Sequence, residues 1–203
     1  MNRLLIFILL SLISCSKREI EIDSSFAKID KKLKDKTALI EKIVPDNNYR
    51  FWQYASIRGG LTNGDKITMM KFGDTLSSQK NKIINPKKGF NLGEFLSYSY
   101  IAYMDEDSIK YVTNEKDLKK FIGNIDNLEE AILILYMNDL TFDPQEVKAG
   151  SFKKNKNGFE LYMMKYYNCP VKKESIKVEI DFKGNFKTKS NGVYYESTDC
   201  IMT

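Results

Sequence analysis

Apolar side chains recur at nearly helical spacing over residues 24–44, and charged side chains fill most of the positions between them. Ser24 or Ser25 can cap the start of a helix, and Pro45 cannot continue one. The pattern therefore predicts a surface helix over 24–44 with one buried face and one solvated face. The apolar positions of the buried face are Phe26, Ile29, Leu33, Ile40 and Ile43.

The next two stretches, residues 46–58 and 63–72, fit either a helix or a strand. Glycine follows both stretches, as it follows many helices, but the first stretch is rich in aromatic residues that also suit a strand. We favour a helix for residues 46–58 and leave residues 63–72 open. Residues 74–93 predict a loop, because they contain Pro86 and two glycines.

The pattern becomes clearer in the middle of the chain, where two strands around an acidic turn are followed by two helices. Acidic side chains in the first turn of the second helix suit the positive end of its dipole. In order, these elements are strands at 95–104 and 109–112, a helix capped by Thr113 or Asn114, and a helix starting at Asp126 or Asn127.

The last quarter of the chain is rich in strand signals. Asn157-Gly158 lies between two β-rich runs, which is a strong sign of a hairpin. Apolar and charged side chains alternate without a break from Ile176 to Lys183, as in a strand with one wet face. The predicted strands span residues 151–154, 158–167, 176–183, 186–189 and 193–197.

These elements predict an α+β fold in which N-terminal helices precede a largely antiparallel sheet. Residues 24–203 form a single globular domain in this interpretation, because neither a linker nor a repeat interrupts them. Cys169 and Cys200 are the two cysteines of that domain. We expect them to form one disulfide that staples the C-terminal strands.

The first fifteen residues are a segment of a different kind. Arg3 precedes an apolar run of about ten residues, a signal-peptide pattern that is too short for a membrane span of roughly 20 residues. The run ends in LISC, with Cys15 as its last residue, and resembles the lipobox of bacterial lipoproteins. The resemblance implies that residues 1–14 are removed and that acyl chains on Cys15 hold the protein to a membrane. Residues 15–23 then form a charged tether.

The expected location is therefore the bacterial cell envelope, anchored to the outer membrane, with the side of that membrane left open. The abundance of Lys, Asn and Ile is similar to that of uncharacterised lipoproteins of the Bacteroidetes kind. That similarity is one of composition and implies no activity.

Composition narrows the possible functions. Hydrophobic residues make up 42% of the chain and charged residues 29%, as in a globular protein. The net charge is +5, but arginines are few and the lysines are scattered among acidic residues, so we expect no nucleic-acid partner. The chain has no histidine, which removes the commonest general base and metal ligand. We expect no metal and no cofactor, and we assign no catalytic residue.

The aromatic residues indicate a binding surface. In the strand over 158–167, Tyr162, Met164 and Tyr166 fall on one face, because successive side chains alternate between faces. If the other face packs on helices, these three side chains are left open beside Tyr194 or Tyr195. Tyrosine-rich surfaces are common at binding sites. The alternative, in which both faces of the strand are covered, stays open.

We therefore favour a non-enzymatic binding module at the envelope, directed at a protein partner or an envelope polymer. An immunity-type or inhibitor lipoprotein is one form of such a module. One alternative is a small envelope hydrolase that uses carboxylates and tyrosines without histidine or metal. Another is an accessory subunit of a membrane complex.

Overall fold

The computed structural model describes residues 19–58, 65–74, 83–91 and 97–201. The predicted signal peptide and Cys15 lie outside the described residues, so both stay predictions. Of the predicted tether, only the part from Glu19 onward is described.

Antiparallel strands make up most of the described chain. In chain order they are β1 (Ala27–Lys28), β2 (Phe51–Arg58), β3 (Asp65–Gly73), β4 (Ser97–Asp105), β5 (Ser108–Val112), β6 (Leu140–Thr141), β7 (Ser151–Asn155), β8 (Gly158–Asn168), β9 (Val171–Asp181) and β10 (Phe186–Glu196). The helices are α1 (Lys36–Ile40), α2 (Glu115–Ile122) and α3 (Leu128–Tyr136), and 3₁₀ turns lie at Lys31–Lys34 and Val147–Ala149.

The strands form two sheets, which we call the large sheet and the small sheet. The order in the large sheet is β1-β7-β8-β9-β10. β7 pairs with the first half of β8, up to Tyr162, and β6 pairs with the same edge of β8 farther on, at Met164 and Lys165. The order in the small sheet is β3-β2-β4-β5. Neighbouring strands are antiparallel in both sheets.

One hydrophobic core joins the two sheets and the helices. Trp52 and Ile101 enter it from the small sheet, and Leu161 and Val178 enter it from the large sheet. Residues 131–135 of α3 have no exposed surface at all. A helix that is apolar on every side must be covered on every side, so α3 lies at the centre of the core.

The largely antiparallel sheet and the C-terminal disulfide are confirmed, but the prediction of N-terminal helices is wrong. Residues 24–44 hold the two-residue β1, a 3₁₀ turn and the five-residue α1. The carboxylates of Asp30 and Asp35 accept hydrogen bonds from the backbone N–H groups of Lys32 and Thr37, and each of these local turns interrupts the helix. The protein is therefore β-rich, and it does not begin with helices.

Residues 46–58, for which we favoured a helix, contain β2, and residues 63–72, which we left open between helix and strand, contain most of β3. In β2, residues 51–57 are buried without a break. One face of the strand packs on the main core, and the other packs on a smaller apolar cluster around Ala55 and Ile57. A strand that is buried on both faces shows no alternation of apolar and polar residues, and short apolar runs of this kind fit a buried helix equally well.

The predicted starts of the two central helices are confirmed. The side-chain oxygen of Asn114 accepts from the N–H of Asp117 at 3.0 Å, and that of Asn127 accepts from the N–H of Glu130 at 2.9 Å. The hairpin of β7 and β8 also forms where it was predicted. β10 is longer than the two separate strands that we expected there, because two bulges let it stay paired with β9.

The disulfide ties the turn between β8 and β9 to the segment that follows β10. Backbone hydrogen bonds on both sides of it hold the same segments together. The disulfide joins Cys169 to Cys200, and the hydrogen bonds run from Val171 N–H to Asp199 O at 2.8 Å, from Ser197 N–H to Val171 O at 2.9 Å and from Ile201 N–H to Asn168 O at 2.8 Å.

The described chain begins against the edge strand β10. A Cβ atom placed on Gly192 would lie 3.5 Å from Cδ1 of Ile20, so the Ile20 side chain covers the backbone of the strand at its bulge. Glu19 and Glu21 line a shallow cavity together with Ser190 of the same strand. The chain therefore enters the domain beside β10.

Candidate functional site

Exposed apolar side chains concentrate at the end of the large sheet that carries the disulfide. We call residues 164–175 and 190–201 the disulfide end. Seven large hydrophobic side chains are exposed in the part of the chain that the structure describes, and four of them lie here. They are Tyr166, Val193, Tyr195 and Ile201. Because groups of exposed apolar side chains often mark interaction sites, this end is the first candidate for a binding surface.

Positive charge accompanies the aromatic side chains of the disulfide end. Lys173 of β9 pairs with Tyr166 of β8 on one side and with Tyr195 of β10 on the other. The Lys173 ammonium lies 5.6 Å from the centre of the Tyr195 ring, where the electrons of the ring attract a cation. The Lys173 ammonium also pairs with the Asp143 carboxylate at 3.0 Å, so this surface presents aromatic rings around an ion pair.

The four residues predicted to form a binding surface have different surroundings. The Tyr162 ring is half-buried and lies 4.9 Å from the Phe26 ring, measured between centres. Met164 is buried, and Tyr166 is exposed. Tyr194 is half-buried, and its hydroxyl donates to a carboxylate oxygen of Asp143 at 3.3 Å.

Met164 and Tyr166 come together in a concave site that we call the lysine groove. It has a volume of about 710 Å³, which is within the usual range for ligand sites. Its positive charges come from Lys34, Lys36 and Lys165, and Asp139 is the acidic residue in its lining. The remaining lining residues are Tyr136, Leu140, Thr141, Met164, Tyr166 and Asn168.

The lysine groove is built by the pairing of β6 with β8. Leu140 lies opposite Lys165 and Thr141 lies opposite Met164, so the short strand forms one wall of the groove. Tyr136, the last residue of α3, lines the groove as well, and burial raises its pKa to about 12. Its hydroxyl therefore stays protonated at neutral pH and remains a hydrogen-bond donor.

No family model, curated protein or solved structure matches this chain. Its function must therefore be argued from the site itself. Of the helices in the described ranges, none combines the length and the hydropathy needed to cross a bilayer.

A second cavity lies on the other side of Lys34 and Lys36. We call it the Ser56 cavity; it has a volume of about 220 Å³ and lies against β2 of the small sheet. The same two lysines line the lysine groove and this cavity, so the two concave sites adjoin. The residues that line the Ser56 cavity are Lys34, Asp35, Lys36, Thr37, Tyr54, Ser56 and Arg58.

Asp143 holds the disulfide end together. Its carboxylate is largely buried and accepts hydrogen bonds from Lys173 Nζ at 3.0 Å, from the Gln145 N–H at 3.1 Å and from the Tyr194 hydroxyl. Burial raises the pKa of Asp143, but these hydrogen bonds and the charge of Lys173 outweigh burial and lower the pKa overall. The carboxylate thus stays ionised and fixes the 143–149 segment to β9 and β10.

The carboxylates that could serve a hydrolase lie elsewhere. Glu160 and Asp181 line a cavity of about 400 Å³ on β8 and β9. Burial raises the pKa of Glu160, but hydrogen bonds from Asn155 and Lys177 outweigh burial and lower this pKa overall. Burial also raises the pKa of Asp181, and hydrogen bonds from Asn185 outweigh it, so this pKa is lowered as well. A glycosidase-type acid needs a carboxyl whose pKa is raised. Glu160 and Asp181 therefore do not fit the role of that acid.

Sequence reasoning found Met164 and Tyr166 but missed the lysine groove and the Ser56 cavity. The lysines of the 31–36 run (KKLKDK) were assigned to the solvated face of a helix that does not form. Ser56 and Arg58 were placed in a second such helix. The dense positive charge of 31–36 was the signal that could have identified both sites.

Proposed function

We propose that the protein is a lipid-anchored envelope protein, attached through Cys15, that acts as a binding module. The LISC motif behind a basic start and a short apolar run supports the anchor. The disulfide supports an oxidising compartment, where such bonds persist. The partner is a protein or an envelope polymer, and an immunity-type or inhibitor lipoprotein is one form that this function takes.

The observation that carries the proposal is the lysine groove with Tyr166 at its opening. The groove is concave, positively charged and bordered by an exposed aromatic ring, and these three properties together favour a partner with an acidic and partly apolar segment. The disulfide supports this role by holding the strand ends beside the groove in one arrangement. A rigid site loses less entropy when it binds.

Cys15→Ser is expected to leave an unprocessed precursor that still carries residues 1–14, because the thiol that accepts the acyl chains is missing. Immunoblots and mass spectra of membrane fractions from the native host measure this. Cys169→Ser is the matched control, since it removes a cysteine that lies outside the motif and should be processed normally. Normal processing of Cys15→Ser would contradict the lipid anchor.

Lys165→Ala combined with Tyr166→Ala is expected to reduce capture of the partner about tenfold or more, because truncating a central tyrosine anchor costs at least about 2 kcal/mol. The measurement is a crosslinked pull-down of the tagged, membrane-anchored protein from its native host, quantified by mass spectrometry. Ile84→Ala is the control, because Ile84 is an exposed apolar residue outside the disulfide end.

Equal capture by the double variant and by Ile84→Ala would show that the lysine groove is not the binding site. Capture of several membrane proteins at fixed stoichiometry would instead favour the accessory-subunit alternative.

A further inference from the structure

We propose that the Ser56 cavity holds a phosphate group, monoester or diester, of the ligand that the lysine groove binds. The inference rests on the proposed binding function and adds the chemistry of the ligand. The body of the ligand lies along the lysine groove toward Tyr166, and its phosphate lies between β2 and the 34–37 segment.

The first argument is the charge of the Ser56 cavity. Lys34, Lys36 and Arg58 all line it, and arginine is the side chain best suited to hold a phosphate with two parallel hydrogen bonds. The acidic residue in the lining, Asp35, is already engaged, because its carboxylate accepts from the Thr37 N–H at 2.9 Å. The cavity is therefore a net positive site.

The second argument is independent of charge and comes from the Ser56 hydroxyl. Ser56 is only 4% exposed, and its Oγ has no hydrogen-bond partner among the described residues. Ser99, which lies opposite Ser56 on β4, already shares a hydrogen bond of 3.0 Å with the Tyr54 hydroxyl. Buried hydroxyls in folded proteins are nearly always satisfied, so the Ser56 hydroxyl is a donor available to an acceptor oxygen in the cavity that it lines.

The third argument is size and shape. A volume of about 220 Å³ equals the space of about seven water molecules, which admits a phosphate group but not a folded segment of a partner. A phosphate monoester offers three acceptor oxygens and close to two negative charges at neutral pH, and a diester offers two free oxygens and one charge in tetrahedral rather than planar geometry, whereas a carboxylate offers two oxygens in a plane and one charge. Three cations and one hydroxyl match the phosphate better.

The fourth argument is that the Ser56 cavity adjoins the lysine groove. Lys34 and Lys36 line both, so one ligand can place its phosphate on one side of these residues and its body on the other.

The test is a titration of the full mature lipoprotein, in a nonionic detergent, with inorganic phosphate at constant ionic strength, followed by amide NMR. We expect saturable shifts at the amides of residues 34–37 and 54–58. Acetate at the same concentration should give weaker shifts at these positions. Linear shifts spread over all lysines, or equal saturation by acetate, would overturn the proposal.

Ser56→Ala is the decisive variant, because it removes a hydroxyl that has no partner in the protein and so should leave the fold intact. Losing one hydrogen bond to a charged group should weaken phosphate binding about tenfold. Lys110→Ala is the control, since Lys110 is an exposed lysine of β5. Unchanged phosphate affinity in Ser56→Ala would overturn the proposal.

Two further experiments are needed. The first distinguishes a lipid phosphate from a soluble or polymer-borne one, and the second distinguishes failure of the phosphate inference from failure of the proposed binding function. Nanodiscs of phosphatidylglycerol that reproduce the shifts, where phosphatidylcholine does not, would identify the phosphate as a lipid headgroup; shifts with inorganic phosphate alone identify a soluble or polymer-borne phosphate. If the pull-down captures a partner equally with wild type and Ser56→Ala, the binding module stands and the phosphate inference fails. If phosphate binds but neither a protein in the pull-down nor an isolated envelope polymer is captured, the proposed function fails and the phosphate site stands.

Discussion

Glu130→Ala is expected to lower the free energy of unfolding by about 3–5 kcal/mol, which is about 10 °C in melting temperature for a chain of this length. Glu130 has no exposed surface, and its two carboxylate oxygens accept from the backbone N–H groups of Val44 and Asp126, each at 2.9 Å. Alanine leaves both buried donors without a partner and opens a cavity at the start of α3.

The measurement for Glu130→Ala is thermal unfolding followed by circular dichroism. Glu129→Ala is the matched control, because it removes a carboxylate from the same first helical turn but none of these hydrogen bonds. We expect the control to change the melting temperature by only a few degrees. Equal losses in the two variants would mean that charge at the helix start, rather than the buried hydrogen bonds, stabilises this region.

The burial of Glu130 also makes the stability of the fold depend on pH, and it sets the sign of that dependence. Burial raises the pKa of Glu130 above the ordinary value of 4.5, although hydrogen bonds from three backbone N–H groups oppose the shift. The folded protein therefore binds this proton more tightly than the unfolded chain does. The stability of wild type relative to Glu130→Gln should fall as the pH rises from 4.5 through the raised pKa, and urea unfolding at several pH values measures this. A relative stability that rises over this range would contradict the prediction.

Cys169→Ser is expected to lower the free energy of unfolding by about 3–4 kcal/mol, or about 10 °C in melting temperature. The disulfide spans 31 residues, so the unfolded chain gains considerable freedom when the bond is absent. Thermal unfolding under oxidising conditions measures the loss. Reducing the wild type should bring it to the melting temperature of the variant, while reduction should leave the variant unchanged. An unchanged melting temperature in the oxidised variant would mean that the bond contributes nothing to stability.

The parts of the fold that could be predicted from sequence are those in which local patterns agree with the final packing. The strand at Ile176–Lys183 alternates because one of its faces is wet, and Asn157-Gly158 specifies the turn before β8. Asn114 and Asn127 mark the helix starts because their side chains satisfy the first amide hydrogens. These signals depend on neighbours in sequence and needed no knowledge of distant contacts.

The parts that could not be predicted depend on distant pairing. β2 is buried on both faces, and one face packs on a distant segment, since the Trp52 ring lies 5.4 Å from that of Phe121 in α2, so its sequence lacks the period of an ordinary strand. Lys34, Tyr136 and Tyr166 meet in the lysine groove only because β6 pairs with β8. Tyr162 was expected on an open face, and the structure places it beside Phe26, because the two-residue β1 pairs with β7.

The position of Ile20 beside Gly192 of β10 limits how far the domain can move from the membrane. With Cys15 lipidated as proposed, the four residues from Cys15 to Glu19 span at most about 14 Å. β10 is then the side of the domain nearest the bilayer. The short linker allows the domain to rotate about its anchor but keeps it close to the membrane surface. β8, with Tyr166, lies two strands from β10, or about 10 Å farther along the sheet. The protein would therefore capture ligands that arrive at the membrane, and it could not reach for ligands held deeper in the envelope.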